Sequence, residues 1–226
     1  MKTRLLSALL ASALLASAPA TVLAQPAAAA ASAQGSAAQM VVSNSNRILS
    51  TLDARRTEFK NSPAALKQFI GAELEREFDR MYAARLVLGI HARGASDADV
   101  KLFADAMVDN LTQRYGSALL SFEGKPTFRV KSQATLPNNL GVKVSTELVR
   151  AGADPTPVDY LVRNVDGQWK VFDVMIEGIS YVQTFKNQFD TPLRQKSIAQ
   201  VAADLRNGTL QVQQPANGPG GTGNGK

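Results

Sequence analysis

Two carboxylates in this 226-residue chain have neighbours that could adapt them to acid–base chemistry. Asp79 lies three residues before Tyr82, and Asp173 lies within an apolar run that is predicted to form a strand. A carboxylate in apolar surroundings can have a raised pKa and act as a general base. A structural role explains the same residues more simply, because a partly buried Asp accepts hydrogen bonds from backbone or indole N–H groups. An isomerase-like enzyme that uses Asp79 or Asp173 therefore stays open as the alternative function.

Other catalytic and metal-binding patterns are absent from the sequence. His91 is the only histidine, there is no cysteine, and no second ligand stands at the spacing of a metal site. The sequence also has no Gly-x-Ser-x-Gly elbow, phosphate loop or dinucleotide fingerprint. We therefore expect neither a metal nor a cofactor.

The first 24 residues have the pattern of a secretory signal peptide. Lys2 and Arg4 precede an apolar run that is too short to span a bilayer, and small residues end at Ala24. The formal net charge is +6, and cleavage would remove two of the 25 basic residues against 19 acidic ones, leaving +4. The basic residues form no cluster, so we expect no nucleic-acid partner. The pattern predicts an exported protein with a solubilising surface.

Composition divides the remaining chain into three parts. Residues 25–39 are rich in Ala, Ser and Gln and are predicted to be a flexible linker. Residues 40–207 contain the periodic apolar sequence and are long enough for a single domain with a sizeable core. Residues 208–226 are rich in Gly, Asn and Pro and are predicted to be a disordered tail. We expect a monomer.

Residues 40–120 show helical periodicity. Ser62-Pro63 is a helix start, with Ser at the N-cap and Pro at the first helical position. Ser96 has an acidic residue three positions later, in the form of a capping box. Apolar residues recur every three or four positions over 66–81 and 100–119. These features predict four or five helices with short breaks.

Strand-like sequence follows at Phe128–Leu136, at Val142–Arg150 and on both sides of Asp166-Gly167. Alternation of apolar and polar residues around Asp-Gly predicts a tight hairpin, with Trp169, Val171 and Asp173 on one face of its second strand. Helical sequence returns after Ser180, and Thr191-Pro192 is predicted to begin a last helix. The predicted fold is α+β, a mainly helical layer packed on one curved antiparallel sheet of about four strands that encloses an apolar cavity.

A spaced pattern in the C-terminal half resembles a known family. Its residues are Tyr160, Gly167-Gln168-Trp169-Lys170-Val171, Asp173-Val174, Glu177-Gly178-Ile179-Ser180 and Gln188-Phe189, and Phe78-Asp79, Ala84-Arg85 and Val87-Leu88-Gly89 agree in an earlier stretch. On these residues the chain is similar, over about 40–207, to the MlaC or toluene-tolerance family of periplasmic phospholipid-binding proteins. It departs from the family at Ile90-His91-Ala92-Arg93, where an aromatic-Trp-Arg run is common.

The resemblance implies a soluble periplasmic carrier with no catalytic activity and no cofactor. Such a carrier takes phospholipid from one membrane complex to another and maintains outer-membrane lipid asymmetry. The implied partners are the lipid-binding subunit of an inner-membrane ABC transporter and an outer-membrane lipoprotein–porin complex. A carrier is physically necessary, because exposing roughly 30 methylenes at about 0.8 kcal/mol each makes unassisted escape from a bilayer very slow.

The apolar patterns of the helices and the sheet supply the expected cavity lining. The expected lipid-binding residues are Phe78, Met81, Leu88, Phe103, Met107, Leu111, Tyr115, Val142, Val144, Thr146, Leu148, Tyr160, Val162 and Val174. For each of them, ordinary core packing is an equal alternative, because a filled core and a hollow one have the same pattern. Filling the cavity by Val144→Trp is expected to reduce lipid retention. A structural or adaptor protein with a solid core is the third hypothesis.

Overall fold

The computed structural model describes residues 36–121 and 125–213. The predicted signal peptide, most of the predicted linker and the end of the predicted tail lie outside these ranges. No helix within them is long and apolar enough to cross a bilayer.

Between residue 36 and the sheet the structure has five α-helices, in agreement with the prediction of four or five over residues 40–120. They are α1 (Ala37–Ala54), α2 (Arg56–Asn61), α3 (Pro63–Glu77), α4 (Arg80–Leu88) and α5 (Asp97–Tyr115), with 3₁₀ turns at Gly89–Ala92 and Gly116–Ser121. The two predicted helix starts are confirmed. The Ser62 side chain accepts a hydrogen bond from the N–H of Ala65, and the Ser96 side chain accepts one from the N–H of Asp99.

Helix α1 begins inside the stretch that was predicted to be a flexible linker. The Ser36 side chain accepts a hydrogen bond from the N–H of Gln39, and the helix starts at Ala37. Ala37 and Val41 are buried in an apolar cluster with sheet residues such as Val144. The prediction was wrong for residues 36–39, because composition does not reveal that small side chains here pack against the sheet.

The sheet is an open antiparallel meander of five strands in the order β1-β2-β3-β4-β5. The strands are β1 (Thr127–Thr135), β2 (Val142–Arg150), β3 (Ala153–Val165), β4 (Gln168–Ile176) and β5 (Ile179–Ser180). The hairpin at Asp166-Gly167 is confirmed, with φ of 50° and 85° as a two-residue turn of this hand requires. Glu177-Gly178 repeats these angles and adds the short β5, which the prediction of about four strands omitted.

A bulge at Phe172 changes which residues of β4 lie on the inner face of the sheet. Val171 is paired with Val162, but Asp173 is paired with Leu161, so β4 has one extra residue at this point. Val174 therefore follows Val171 on the inner face, opposite Tyr160. The prediction that Asp173 shares the face of Val171 was wrong, because a bulge breaks the period of two.

The outer edge of β4 is covered along much of its length. The link between α3 and α4 runs beside it, where Phe78 forms a parallel bridge to Val171 and the N–H of Asp79 donates to the Val171 carbonyl at 2.8 Å. Strand β5 pairs with Met175 and Ile176 further along. At the opposite side of the sheet, β1 is the edge strand.

Two helices, α6 (Tyr181–Gln195) and α7 (Ile198–Arg206), follow the sheet. Pro192 lies inside α6 and does not start a helix, so that prediction was wrong. The helix continues through Pro192 because Phe189 and Leu193 are both buried in the core, which offsets the missing backbone N–H. Helix α7 starts instead at Ser197, in a capping box with Gln200.

The predicted disordered tail is ordered at its beginning. Val212 is only 1% exposed, and its N–H donates to Asn110 Oδ1 at 3.4 Å. The side-chain amide of Gln188 donates to the Gln213 carbonyl at 2.7 Å and accepts from the Gln213 N–H at 2.9 Å. The prediction was therefore wrong for residues 208–213, because one buried valine and a paired amide outweigh the polar composition.

Three buried apolar clusters make up the core. The largest joins α4, α5, α6 and α7, and its Phe103 and Phe189 rings meet edge to face with centroids 5.0 Å apart. A second joins α1 to the sheet, and a third joins α1, α2 and α3 around Phe59. The clusters do not merge into one continuous core, and the space between them forms the candidate site.

Candidate functional site

Two apolar cavities lie against the sheet and adjoin each other. The first, here called the α1 cavity, has a volume of about 310 Å³ between α1 and the sheet. The second, here called the α6 cavity, has a volume of about 400 Å³ among α4, α5, α6 and β4. Phe78, Leu119, Val174 and Ile176 line both. Since these side chains are common to the two walls, the cavities are immediate neighbours that share part of their lining.

The α1 cavity is lined by apolar side chains with a few polar groups. Its other apolar walls are Met40, Val41, Ile48, Leu49, Leu52, Phe128, Leu148, Val158 and Val171, and its polar residues are Asn44, Ser45, Glu77 and Tyr160. The α6 cavity is lined by Leu74, Ala83, Ala104, Met107, Val108, Leu111, Phe172, Val182 and Phe185, with Arg80, Asp173 and Tyr181 as its polar residues. Both cavities can accommodate hydrocarbon.

The structure brings part of the predicted lining together. Phe78, Met107, Leu111, Leu148, Tyr160 and Val174 lie at the cavity walls. Their contact with a ligand stays a prediction. The other predicted residues lie elsewhere. Met81, Leu88 and Phe103 are in the helical core, Val142, Val144 and Val162 are between the sheet and α1, and Tyr115 is beside the tail. Thr146 is buried on β2, where its hydroxyl donates to the Val158 carbonyl.

The position of Val144 changes the expected effect of Val144→Trp. Val144 is fully buried in the cluster with Val41 and Val162, and it lines neither cavity. A tryptophan there would overpack a filled core, at a cost of about 1–3 kcal/mol or more. The substitution would test folding, so a different residue is needed to fill the cavity.

The predicted cavity lining did not include any residue of α1, although this helix forms part of the wall. Ile48 and Leu52 recur at helical spacing, which was the available signal, but spacing identifies a buried face and not the surface that it meets. The polar residues Asn44 and Ser45, which precede them on the helix and also line the cavity, gave no signal in the sequence.

Polar side chains add to the apolar contacts that attach helix α1 to the rest of the fold. The Ser45 hydroxyl lies 3.2 Å from Tyr160 Oη, and burial raises the pKa of Tyr160 to about 12. Arg47 makes two hydrogen bonds to Glu73, at 2.8 and 2.6 Å. The Ala38 N–H donates to Gln133 Oε1 on β1 at 3.1 Å.

Glu77 is a buried acid at the wall of the α1 cavity. It accepts a hydrogen bond from Asn44 and pairs with Arg47 at 3.3 Å and with Arg76 at 2.8 Å. Burial raises the pKa of Glu77, and the charge of Arg47 opposes that shift. The carboxylate thus joins α1 to α3 and has basic partners on both sides.

The two carboxylates considered for acid–base chemistry both have structural partners. Asp79 caps α4 by accepting from the N–H of Tyr82 at 3.0 Å, and its second oxygen accepts from Arg163 Nη1 at 2.9 Å. Arg163 also lies 4.2 Å from the centre of the Tyr82 ring. Because capping and an ion pair account for Asp79, its geometry does not support the enzyme hypothesis.

Asp173 is 6% exposed and fixes the start of α6. Its oxygens accept from Ser180 Oγ at 2.5 Å and from the N–H of Val182 at 3.0 Å. Burial raises its pKa, and the Ser180 hydrogen bond opposes the shift. Ser180 caps the helix by accepting from the N–H of Gln183 at 2.9 Å, so the junction has a structural explanation.

His91 also has a structural partner. Its Nε2 lies 3.0 Å from Asp190 Oδ1, and Asp190 pairs with Arg194 through its other oxygen. Within residues 36–121 and 125–213, no three His, Cys, Asp or Glu side chains are grouped to hold a metal ion.

Comparison with known proteins gives consistent matches. Residues 42–207 match the sequence profile of a family described as "MlaC protein". The chain is 25% identical over 153 residues to the Pseudomonas putida "Toluene tolerance protein ttg2D", covering 66% of this chain and 69% of the relative. It is 24% identical over 146 residues to the Haemophilus influenzae "Intermembrane phospholipid transport system binding protein MlaC", covering 63% and 68%.

A solved structure has the same fold. It is a phospholipid-binding protein from Ralstonia solanacearum in complex with a phospholipid, and it matches with a TM-score of 0.68 at 21% identity. The match covers 77% of this chain and 98% of the other. At this identity the likeness establishes the arrangement of helices and sheet.

Proposed function

Because this chain belongs to the MlaC family, we propose that it is a periplasmic carrier that holds the acyl chains of a phospholipid in the adjoining α1 and α6 cavities. The observation that carries the proposal is the pair of neighbouring apolar cavities within the region that matches the family. Each cavity has the volume of a small-molecule site, about 300–1,000 Å³. The resemblance in sequence and the cavities in the structure agree on the class of ligand.

The walls suit a ligand that is held by burial. Most of the lining side chains are Leu, Val, Met, Ile and Phe, which gain free energy in proportion to the apolar area removed from water. Flexible side chains such as Met40 and Met107 adapt to chains of different length and unsaturation. The carrier therefore provides an environment comparable to the bilayer interior and need not bind one lipid species.

The names of the relatives support a place in a transport route. The Haemophilus influenzae relative is named as the binding protein of an intermembrane phospholipid transport system. By analogy, this chain would act as a monomer after export and cleavage of residues 1–24. It would exchange lipid with the lipid-binding subunit of an inner-membrane ABC transporter and with an outer-membrane lipoprotein–porin complex, and so maintain outer-membrane lipid asymmetry.

The first test is the identity of the co-purified ligand. The full chain is expressed with export, purified without detergent and analysed by native mass spectrometry followed by lipid extraction. We expect bound phospholipid, and we expect stripped protein to recover labelled phospholipid from vesicles. Protein that carries no phospholipid and takes none up would overturn the proposal.

A second test concerns the partners. Lipid-loaded protein is mixed with vesicles that either contain the purified transporter complex or lack it. We expect rapid lipid exchange only with the complex, because a buried chain must otherwise cross water. Equal exchange rates with bare vesicles would contradict the proposed role of the transporter complex but would not contradict lipid binding.

A further inference from the structure

Arg150 differs from the other half-buried arginines of the described chain because it has no acidic partner. It is the last residue of β2, and its only hydrogen bond within residues 36–121 and 125–213 runs from Nη2 to Thr156 Oγ1 at 3.0 Å. Each of the other half-buried arginines in these ranges forms an ion pair with a carboxylate, and they are Arg47, Arg56, Arg80, Arg85 and Arg163. A cation that is partly removed from water without a counter-ion is unfavourable, so Arg150 is suited to an anionic ligand.

The acidic residues nearest to Arg150 along the chain do not neutralise it. Glu147 is three residues away on β2, so its side chain points to the other face of the strand, where it pairs with Arg129 and Lys131. Asp154, near the start of β3, is exposed and forms no ion pair with any described residue. The charge of Arg150 is therefore free to attract a ligand.

The guanidinium of Arg150 has one nitrogen that a ligand can reach. Nε is enclosed by protein, and Nη2 is bonded to Thr156. Nη1 also has no partner in the described part of the chain, but it is not fully enclosed. Any contact with a ligand is therefore made by Nη1, and the enclosed Nε takes no part in it.

Arg150 lies at the end of the sheet that borders the α1 cavity. Thr156, which its guanidinium contacts, is paired across the sheet with Leu148, so these two residues share a face. Leu148 lines the α1 cavity, and so does Val158, two residues beyond Thr156 on β3. The lining residues on β2 and β3 are all within the stretches nearest to Arg150, so a polar group attached to a chain in this cavity would emerge beside its guanidinium.

We propose that Arg150 Nη1 binds the phosphate of a phospholipid whose acyl chain enters the α1 cavity. This inference rests on the proposed function. A guanidinium forms charge-assisted hydrogen bonds with phosphate oxygens, which are about twice as strong as hydrogen bonds between neutral groups. Because every phospholipid contains this phosphate, the contact would select phospholipids over uncharged lipids without choosing among headgroups.

The first test compares two lipids that differ in the phosphate-containing headgroup. Lipid-free protein is incubated with vesicles that contain phosphatidylcholine and the diacylglycerol with the same two acyl chains, and mass spectrometry measures the ratio of the two bound lipids. Arg150→Gln should lower the ratio of phospholipid to diacylglycerol by about ten-fold relative to the wild type. Comparing proteins in this way cancels any difference in how readily each lipid leaves the vesicle.

Arg206→Gln is the matched control. Arg206 is the last residue of α7, is exposed and lines neither cavity. Its replacement removes the same charge from the protein, so it should leave the ratio of bound lipids unchanged. An equal fall in both variants would show that the preference depends on net charge and would overturn the inference.

A second test needs no variant. Phenylglyoxal modifies accessible guanidinium groups, and peptide mass spectrometry identifies which arginines have reacted. Arg150 should react in the lipid-free protein, should be protected by bound phosphatidylcholine and should stay reactive with diacylglycerol bound, while Arg206 reacts equally in all three states. Inorganic phosphate alone should not protect Arg150, because without acyl chains little holds the anion against water; protection by phosphate alone would indicate a general anion site and overturn the inference.

The outcomes separate this inference from the proposed function. If Arg150→Gln keeps the wild-type ratio, or if phosphatidylcholine does not protect Arg150 from phenylglyoxal, the inference is wrong and the carrier function stands. If the wild-type protein takes up neither lipid, the proposed function itself fails.

Discussion

The side-chain amide of Asn46 makes two hydrogen bonds with the backbone of Phe128. It accepts from the Phe128 N–H at 2.7 Å and donates to the Phe128 carbonyl at 3.2 Å. The amide thus occupies the place of a neighbouring strand at the edge of β1 and fixes α1 over the α1 cavity.

Asn46→Ala should destabilise the protein by about 1–3 kcal/mol, because both hydrogen bonds are lost and the Phe128 backbone is partly buried. Urea unfolding of the apoprotein measures this change. Ser43→Ala, on an exposed position of the same helix, should stay within about 0.5 kcal/mol of the wild type. Equal stability of Asn46→Ala and Ser43→Ala would show that the two hydrogen bonds of Asn46 do not help to hold α1 on the sheet.

Val174→Trp should reduce phospholipid retention several-fold. Val174 lines both cavities, so a tryptophan ring at this position would reduce the volume available to an acyl chain. Lipid extraction from purified protein, normalised to protein mass, measures the effect. Met175→Trp is the control, since Met175 is the next residue of β4 and lines neither cavity. The same loss of phospholipid in both variants would show that the effect comes from disruption of the sheet and not from filling the cavity.

Asp173 should make the wild-type protein lose stability as pH rises. Its pKa is raised by burial, so the folded state holds the proton more tightly than the unfolded chain. Its contribution is therefore most favourable below the ordinary pKa of about 4, and it declines as pH rises through the raised value. Asp173→Asn cannot ionise, so the wild type should lose unfolding free energy relative to this variant as pH rises above the ordinary pKa of an aspartate, about 4.

Asp190 should have the opposite effect on the pH dependence of stability. Its hydrogen bond with His91 lowers the pKa of Asp190, so its contribution is present above the ordinary pKa and is lost as pH falls. The wild type should gain stability relative to Asp190→Asn as pH rises through the acid range. Urea unfolding at several pH values measures both differences, and slopes of the same sign would contradict the assignment of Asp173 as the desolvated acid.

Gly141→Ala should be strongly destabilising, by about 3–5 kcal/mol. Gly141 has φ of 142°, and an added Cβ would lie 2.0 Å from the Val162 carbonyl oxygen on the neighbouring strand. Gly152 has φ of 73° with open space around it, so Gly152→Ala should cost only about 1–2 kcal/mol of backbone strain. Thermal unfolding of the two variants checks the difference, and similar shifts would mean that β3 moves freely to accommodate the methyl group.

Sequence signals were sufficient wherever a short segment determines its own conformation. The caps at Ser62 and Ser96 and the turn at Asp166-Gly167 depend on residues within a few positions, and all three are confirmed. The errors occurred where distant packing overrides composition. Ala37 is helical because the sheet buries it, and the helix continues through Pro192 because Phe189 and Leu193 are in the core.

The cavity lining was less predictable than the fold for a physical reason. Val144 and Val174 both lie on the inner face of the sheet, yet the first is in a filled cluster and the second borders empty space. The difference depends on where α1 and α6 are seated, and no local pattern contains that information. The bulge at Phe172 could not be predicted for the same reason. An extra residue in β4 can be recognised only from its pairing with β3.

The link that runs beside β4 has a consequence for self-association. A folded protein can polymerise through its sheet only if each molecule exposes two edges, one for the preceding molecule and one for the next. Here the link at Phe78 and Asp79, together with β5, covers one side. In the described part of the chain the single long edge left is therefore β1, where the Asn46 amide occupies only the position of Phe128. Two molecules that joined along β1 would leave no further long edge, and addition would stop at a pair.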